Sequence, residues 1–335
     1  MNINRILSVL LLLLIVVNIY LGVSIYSLYR SQNYIDEKLL TTAVEKLTAN
    51  GIMLQDGAIP LRKQKGYIYV GELDNYNYEI VAKELSGSNS VENFIVPDGY
   101  SYTMENGDVF KFGNNYEFSY KSEKYSTDSD AITTYINQLI SSDNTTSKNI
   151  YLQAAGSQEA AAVSETVTAF LLKPVFVGAY QIEIATDKVL YGGKTQIDAT
   201  SEAGADIYYA YFYQAIDGVR LKGFDIIAAV IAYNGDYYIA AAEGRYCFYR
   251  ITERFDSQIY DQVNILFIDK YAGTYDGESG EKTISSVGSV YTAYPGNETE
   301  EQRREVYFVP AWEITSGSGN SNVYNAYNGA LYTIL

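Results

Sequence analysis

Three hydrophobic patterns follow one another along the chain. Between Arg5 and Arg30 lie 24 residues, ILSVLLLLLIVVNIYLGVSIYSLY, without a charge. As a helix this run extends about 36 Å, enough to cross a ~30 Å hydrocarbon core with some tilt. It is longer than the apolar region of a cleavable leader, and SLYRSQNYIDEK offers no small-residue cleavage site after it. Tyr20, Tyr26 and Tyr29 gather at its C-terminal end, as in an interfacial aromatic belt. Arg5 and the terminal amine favour a cytoplasmic start, against the opposing pull of Arg30 and Lys38, with the body on the far side of the membrane.

The second pattern is helical. Leu40, Val44 and Leu47 recur at helical spacing in NYIDEKLLTTAVEKLTANGI, and Asn50-Gly51 is a stop signal, which predicts a juxtamembrane helix. STDSDAITTYINQLIS and SQEAAAVSETVTAFLLK read as further helices, the second ending before Pro174. FDSQIYDQVNILFIDK reads as another, capped by Asp256 or Ser257 with Ile259, Val263, Leu266 and Phe267 inward.

The third pattern is alternation. GYIYVGEL, NYEIVAKEL, SYTMENGDVFKF and NYEFSYKS read as short strands, and AYQIEIATD, ADIYYAYFYQAIDG, FDIIAAVIAYNG and DYYIAAAEGRYCFYRI as longer ones. Asp217-Gly218 and Asn234-Gly235-Asp236 mark hairpin turns between the long strands. KTISSVGSVYTAY, EVYFVPAWEI and NVYNAYNGALYTI supply the last ones. In EVYFVPAWEI, Val306, Phe308, Pro310, Trp312 and Ile314 share one face, and Tyr307, Val309, Ala311 and Glu313 the other. That is a core strand with one interrupted rung, because Pro310 has no N–H to donate and belongs at an edge, a bulge or an unpaired position. The expected fold class is α+β: a transmembrane helix, then an extracytoplasmic region of antiparallel sheets with packed helices, arranged as two related modules. The expected division is an anchor at 1–30, a first module at 31–148 and a second at 149–335, with the junction in the polar stretch near Ser141 to Lys148.

Composition narrows the function. The formal net charge of -16 repels phosphate backbones and anionic headgroups, which disfavours nucleic acid as a partner. Histidine is absent, which removes the commonest general base and the usual zinc ligand. The single cysteine, Cys247, forms no intrachain disulfide and reads as a small apolar strand residue. The 35 tyrosines suit strands and half-wet, outward-facing surfaces. YGGKT at Tyr191 to Thr195 fails as a phosphate loop, since Lys188 stands where the first glycine belongs. KYAGTYDGESGEK lacks calcium-loop spacing, and the sequons at Asn144 and Asn297 matter only in a glycosylating source. A glycosidase needs two carboxylates, but no acidic pair stands in a sequence context that separates two pKa values. No catalytic residue, cofactor or metal ligand is expected.

Assembled, these features resemble the YycI/YycH family, membrane-anchored regulators that accompany the WalK (YycG) sensor histidine kinase of low-GC Gram-positive bacteria. The likeness is carried by VVNIYL in the charge-free span, ANGIML with AIP soon after, the hairpin YQAIDGVRLKG, and DSQIYDQVNILF followed by VPAWEI and YNAYNGAL. Pro310, Ala311 and Trp312 are the most specific part. Glu313 departs from the family pattern, as does the number of tyrosines. The resemblance implies a non-catalytic protein that contacts a WalK/YycG-type sensor kinase, alongside a YycH-like paralogue, and biases its signalling in cell-wall homeostasis. Its partner-binding residues in the membrane are then expected at Asn18, Gly22 and Ser24, where small or polar side chains allow close helix approach. The alternatives from acid and tyrosine content are an extracytoplasmic glycan- or peptide-binding module and a wall-active glycosidase.

Overall fold

The computed structural model describes residues 3–72, 78–97, 99–113, 116–125, 153–172, 182–195, 204–248, 250–271, 282–295 and 305–332. The predicted helix STDSDAITTYINQLIS, the expected junction near Ser141 to Lys148 and both sequons lie outside these residues. The architecture is α+β, with five helices among the described residues and a large mixed sheet. The chain forms two compact units, one of Met1–Tyr67, Asp256–Ser289 and Pro310–Thr333, the other of Ile68–Phe255, Val290–Val309 and Ile334–Leu335.

The first unit opens with α1 (Ile3–Asn33), the apolar run extended by three residues before it and four after it. Helix α2 (Glu37–Thr48) follows after a three-residue joint; the Asp36 carboxylate accepts from the Lys38 amide, and Gly51 ends the exit turn at φ 80°. Ala43 and Leu47 are its buried positions, one turn apart. Strand β1 (Ile52–Leu54) runs parallel to the start of β13 (Lys282–Pro295), with Ile52 opposite Lys282. The last part of β14 (Glu305–Ser316) pairs antiparallel with β15 (Ser321–Asn325), which pairs with β16 (Leu331–Tyr332). Leu47, Ile52, Ile284, Trp312, Ile314 and Tyr324 form the core against helix α5 (Gln262–Tyr271). On α5, Asp269 is buried, ion-paired to Lys282 and hydrogen-bonded by the Tyr324 hydroxyl at 2.7 Å, so its charge is compensated.

Helix α5 starts later than its sequence pattern implies. Asp256 still belongs to β12 (Arg250–Asp256), and the N-terminal cap is Asp261, whose Oδ1 accepts from the Asn264 amide at 2.8 Å. Of the four residues between, Ser257 N–H donates to the Gly66 carbonyl and Tyr260 N–H to the Ala326 carbonyl at 2.7 Å. Tertiary pairing outbids the extra helical turn because it satisfies backbone groups that would otherwise be buried unpaired.

Within the second unit, the described strands follow the order β12-β2-β14-β13-β10-β11-β6-β5-β4-β3. The members not yet introduced are β2 (Tyr67–Glu72), β3 (Ser90–Val96), β4 (Gly99–Met104), β5 (Val109–Gly113), β6 (Glu117–Lys121), β10 (Val219–Tyr233) and β11 (Asp236–Arg245). Strands β7 (Gln153–Ala154), β8 (Ile182–Thr195) and β9 (Ala205–Ile216) join through the β9 pairing to β10. The antiparallel expectation needs one amendment: β13 lies parallel to β10 at Leu221–Tyr291, and parallel to β1 in the first unit. The two predicted hairpin turns stand, with Asp217 and Gly218 at φ 50° and 73°, and Asn234 and Gly235 at 54° and 88°. Both central residues at positive φ are the signature of a type I′ turn.

NYEIVAKEL is a helix, α3 (Tyr78–Ser86), not a strand. Val81, Ala82 and Leu85 are buried on one side while Ile80 is exposed, so the i, i+1, i+4 spacing prevails over the apparent alternation. With Val163, Val167 and Leu171 of α4 (Ser157–Leu171), they cover a sheet face built of Phe110, Phe112, Phe118, Phe212 and Ile226. Cys247 is buried as expected, but it sits between β11 and β12 and not in a strand. Its backbone N–H donates to Gln214 Oε1 at 2.6 Å.

Trp312 is fully buried, and its indole N–H donates to the Tyr260 carbonyl at 2.8 Å. Trp312→Ala should lower stability by about 3–5 kcal/mol through the cavity it leaves. Trp312→Phe should cost roughly 1–3 kcal/mol, since it refills most of the volume and orphans the carbonyl. Urea unfolding followed by circular dichroism orders the two; equal losses would mean that the cavity contributes nothing and that the hydrogen bond, which both variants lose, accounts for the whole cost.

Candidate functional site

The expected partner-binding residues Asn18, Gly22 and Ser24 are spread around α1 and not gathered on one face. Asn18 and Gly22 stand four residues apart, about 40° around the helix, whereas Ser24 is about 120° from Asn18 on the other side. Asn18 and Gly22 are exposed, and a Cβ added at Gly22 meets nothing within 4 Å. One helix partner can therefore engage Asn18 and Gly22 together, but not Ser24 with them. The Pro310-Ala311-Trp312 triplet is core: all three are buried, and pairing with β15 begins at Ala311 opposite Asn325, one residue past the proline. The Pro310 carbonyl still accepts, from the Ala326 amide at 2.9 Å. Alternation along β14 holds with one exception, Ala311, which is buried on the face that half exposes Tyr307, Val309 and Glu313.

The second unit carries a cleft of about 680 Å³. A row of residues directly opposite one another runs across eight strands, and five of them, Tyr211, Ile227, Glu243, Ser119 and Lys111, line the cleft. Starting from β8, Lys188 faces Tyr211, Tyr211 faces Ile227, and Ile227 faces Glu243. The row continues from Glu243 to Ser119, Lys111, Ser101 and Phe94. These side chains share one face because each strand contributes every second residue. The opposite face, offset by one residue, supplies the phenylalanine-rich core beneath α3 and α4.

Two glycines shape the wall. Gly223 (φ 84°) lies in the irregular stretch of β10 between Arg220 and Asp225. Gly244 (φ 151°) lets β11 approach β10 closely, since a Cβ there would stand 2.1 Å from the Asp225 carbonyl oxygen. The Arg220 guanidinium ion-pairs with Asp225 and lies 4.7 Å from the centre of the Tyr213 ring. Lys188 Nζ sits 4.3 Å from the centre of the Tyr211 ring, and burial pushes the Tyr211 hydroxyl up to about 12.

Charge in the cleft is close to balance, unlike the chain as a whole. Three basic residues, Lys111, Arg220 and Arg245, stand against four acids, Glu117, Asp187, Asp225 and Glu243. Such a lining suits a neutral or zwitterionic polar ligand better than an anion or a metal cation. Among the described residues, no group of three or more carboxylates and cysteines is placed to hold a metal ion. Glu243 is held above the ordinary carboxyl range, chiefly by burial; nearby Lys111 opposes the shift and Glu117 adds to it.

No family model matches this chain. No curated protein matches it either. The fold is similar to that of an uncharacterized protein from Eubacterium rectale, at 13% sequence identity and a TM-score of 0.46, over 85% of this chain and 90% of that one.

None of the cleft residues stands out in the sequence. Lys111, Ser119 and Glu243 lie on three strands and are joined only by register. The available local signal was weak: each is the polar member of an otherwise apolar alternation.

Glu243 binds its proton more tightly when folded, so its contribution to stability is present below its ordinary value of 4.5 and is lost as pH rises through the raised folded value. Glu243→Gln should therefore raise the Tm at pH 7, with the gain vanishing below about pH 4; thermal unfolding across that range reads it, and a gain independent of pH would contradict the burial argument. Gly244→Ala should cost at least roughly 1–3 kcal/mol in denaturant unfolding, as the added methyl forces β10 and β11 apart.

Proposed function

We propose that this chain is a non-catalytic, membrane-anchored regulator of the YycI/YycH kind, acting on a WalK/YycG-type sensor histidine kinase from the outer side of the membrane. One observation carries the reading: the apolar helix is bonded into the folded body at its base. The Leu13–Asn33 stretch passes the length and hydropathy requirements of a membrane span and has none of its residues buried in the fold. At its end, the Lys63 amide donates to the Asn33 carbonyl at 2.8 Å and Lys63 Nζ to the Ser31 carbonyl at 3.0 Å. The Ile35 amide donates to the Leu61 carbonyl at 2.9 Å, and Ile35 itself is buried against Ala43 and Val263.

A leader destined for removal has no use for such bonds. An anchor that transmits needs them, because a displacement of the folded body then shifts the helix and a displacement of the helix shifts the body. A regulator of this kind acts by binding one kinase conformation better than the other, so that its binding energy changes the balance between them. The pairing of Asn18 with Gly22 supplies a small, polar patch for a neighbouring transmembrane helix. A YycH-like paralogue is the expected companion at the same kinase.

A second reading is favoured by the cleft: an extracytoplasmic module that binds a neutral glycan or peptide over Tyr211 and Glu243. It is compatible with the first, since a ligand held there is a signal for an anchored regulator to relay.

A photo-crosslinking residue at Asn18 or Gly22, in the full chain in its native membrane, should trap a histidine kinase, and the same residue at Ser24 should trap it several-fold less. Recovery of no kinase from any position would sink the regulator reading. Mature protein lacking residues 1–30 by mass would sink the anchor.

A further inference from the structure

Strand β3 ends the strand order of the second unit and, among the described strands, pairs only with β4. Its seven residues, SVENFIV, hold one ionisable group, Glu92. Val91 is 59% exposed, Phe94 54%, Ile95 85% and Val96 37%. Apolar side chains are therefore exposed on both faces of a strand whose outer N–H and C=O groups pair with no described strand. Natural edges avoid that combination with lysine, proline, or a shortened strand. The neighbourhood is otherwise well packed: Tyr102, Phe110 and Phe112, on the next two strands, are at most 2% exposed.

We propose that β3 is a homotypic interface, at which two copies of this chain pair their β3 strands antiparallel about a two-fold axis at Phe94. A second copy is the occupant that the strand's own pattern fits. A register irregularity falls between Ser90 and Glu92, so the regular part of the edge is Glu92–Val96, and its centre is Phe94. Pairing about that centre sets Phe94 opposite Phe94, Asn93 opposite Ile95 and Glu92 opposite Val96. An aromatic cross-strand pair forms and no acid faces an acid. The two Glu92 carboxylates end roughly 14 Å apart along the strands, beyond the ~8 Å screening length at physiological salt. The arrangement is isologous, so each exposed edge covers the other and the assembly closes at two copies.

The area buried is roughly 400 Å² per copy, about half that of a standard stable interface, so the dimer is weak and concentration-dependent. A net charge of -16 on each copy opposes it, and added salt strengthens it by screening that repulsion.

The test is disulfide trapping in the full-length chain, whose one native cysteine, Cys247, is only 2% exposed. Directly opposite residues of an antiparallel pair have Cα atoms about 4.5–5.5 Å apart, within disulfide range. A mixture of Glu92→Cys chains and Val96→Cys chains should give an oxidised dimer at least ~10-fold faster than either variant alone, where the matching cysteines are roughly 14 Å apart. Adding Ile95→Lys to both variants should slow the mixed reaction at least ~10-fold, and raising salt should speed it. Association through α1 gives no such register preference. Equal rates for the mixture and the separate variants, or no effect of Ile95→Lys in protein with an unchanged circular dichroism spectrum, would overturn the proposal.

Discussion

The register of β10 is the constraint on which the second unit depends. Its fifteen residues are held between β9 and β11, with Asp217-Gly218 and Asn234-Gly235 turning the chain at its two ends. Ile226, Ala228 and Val230 point to the phenylalanine-rich core, and Ile227, Ala229 and Ile231 to a second apolar cluster on the other face. A slip of β10 by one residue would exchange the two sets, turning Ile227, Ala229 and Ile231 to the phenylalanine-rich core and Ile226, Ala228 and Val230 away from it. The primed turns oppose that slip because their backbone twist matches the twist of the strands they join. The cleft exists because the register is single-valued: five strands in step line it with residues that are distant in sequence.

That lining carries charge as well as apolar surface. Glu243 is half-buried with its charge opposed by burial, and Arg220 and Asp225 form their pair on an irregular strand next to two glycines. These are the features on which the second, ligand-binding proposal rests.

The first unit is organised around a different problem, how to join a long apolar helix to a small core. Residues 61–63 take the hydrogen bonds at the base of α1, Ile35 enters the core just past it, and α2 packs with α5 beside Trp312 and Asp269. The buried Asp269 ties α5 to β13 and β15, which are distant in sequence, and the Trp312 indole ties β14 to the segment leading into α5. These polar bonds are directional where apolar packing is not, so they select one arrangement of the helix on its sheet.

Sequence alone determined the elements whose signals are local and redundant. The 24 uncharged residues within α1, the helical spacing of α2 and α4, the alternation of the long strands, and the two Asx-Gly turns each state their structure without help from distant residues. The core role of Trp312 was legible for the same reason, since alternation along β14 places it inward. Tertiary structure decided the rest. It made α3 a helix, because the surface that accepts Val81, Ala82 and Leu85 is assembled from strands elsewhere in the chain. It delayed α5 to Gln262, because Tyr260 is claimed by Ala326. It gathered Lys111, Ser119 and Glu243 into one row. Periodicity is a property of neighbours along the chain, whereas register and burial are properties of neighbours in space, and a site built across strands is written in the second.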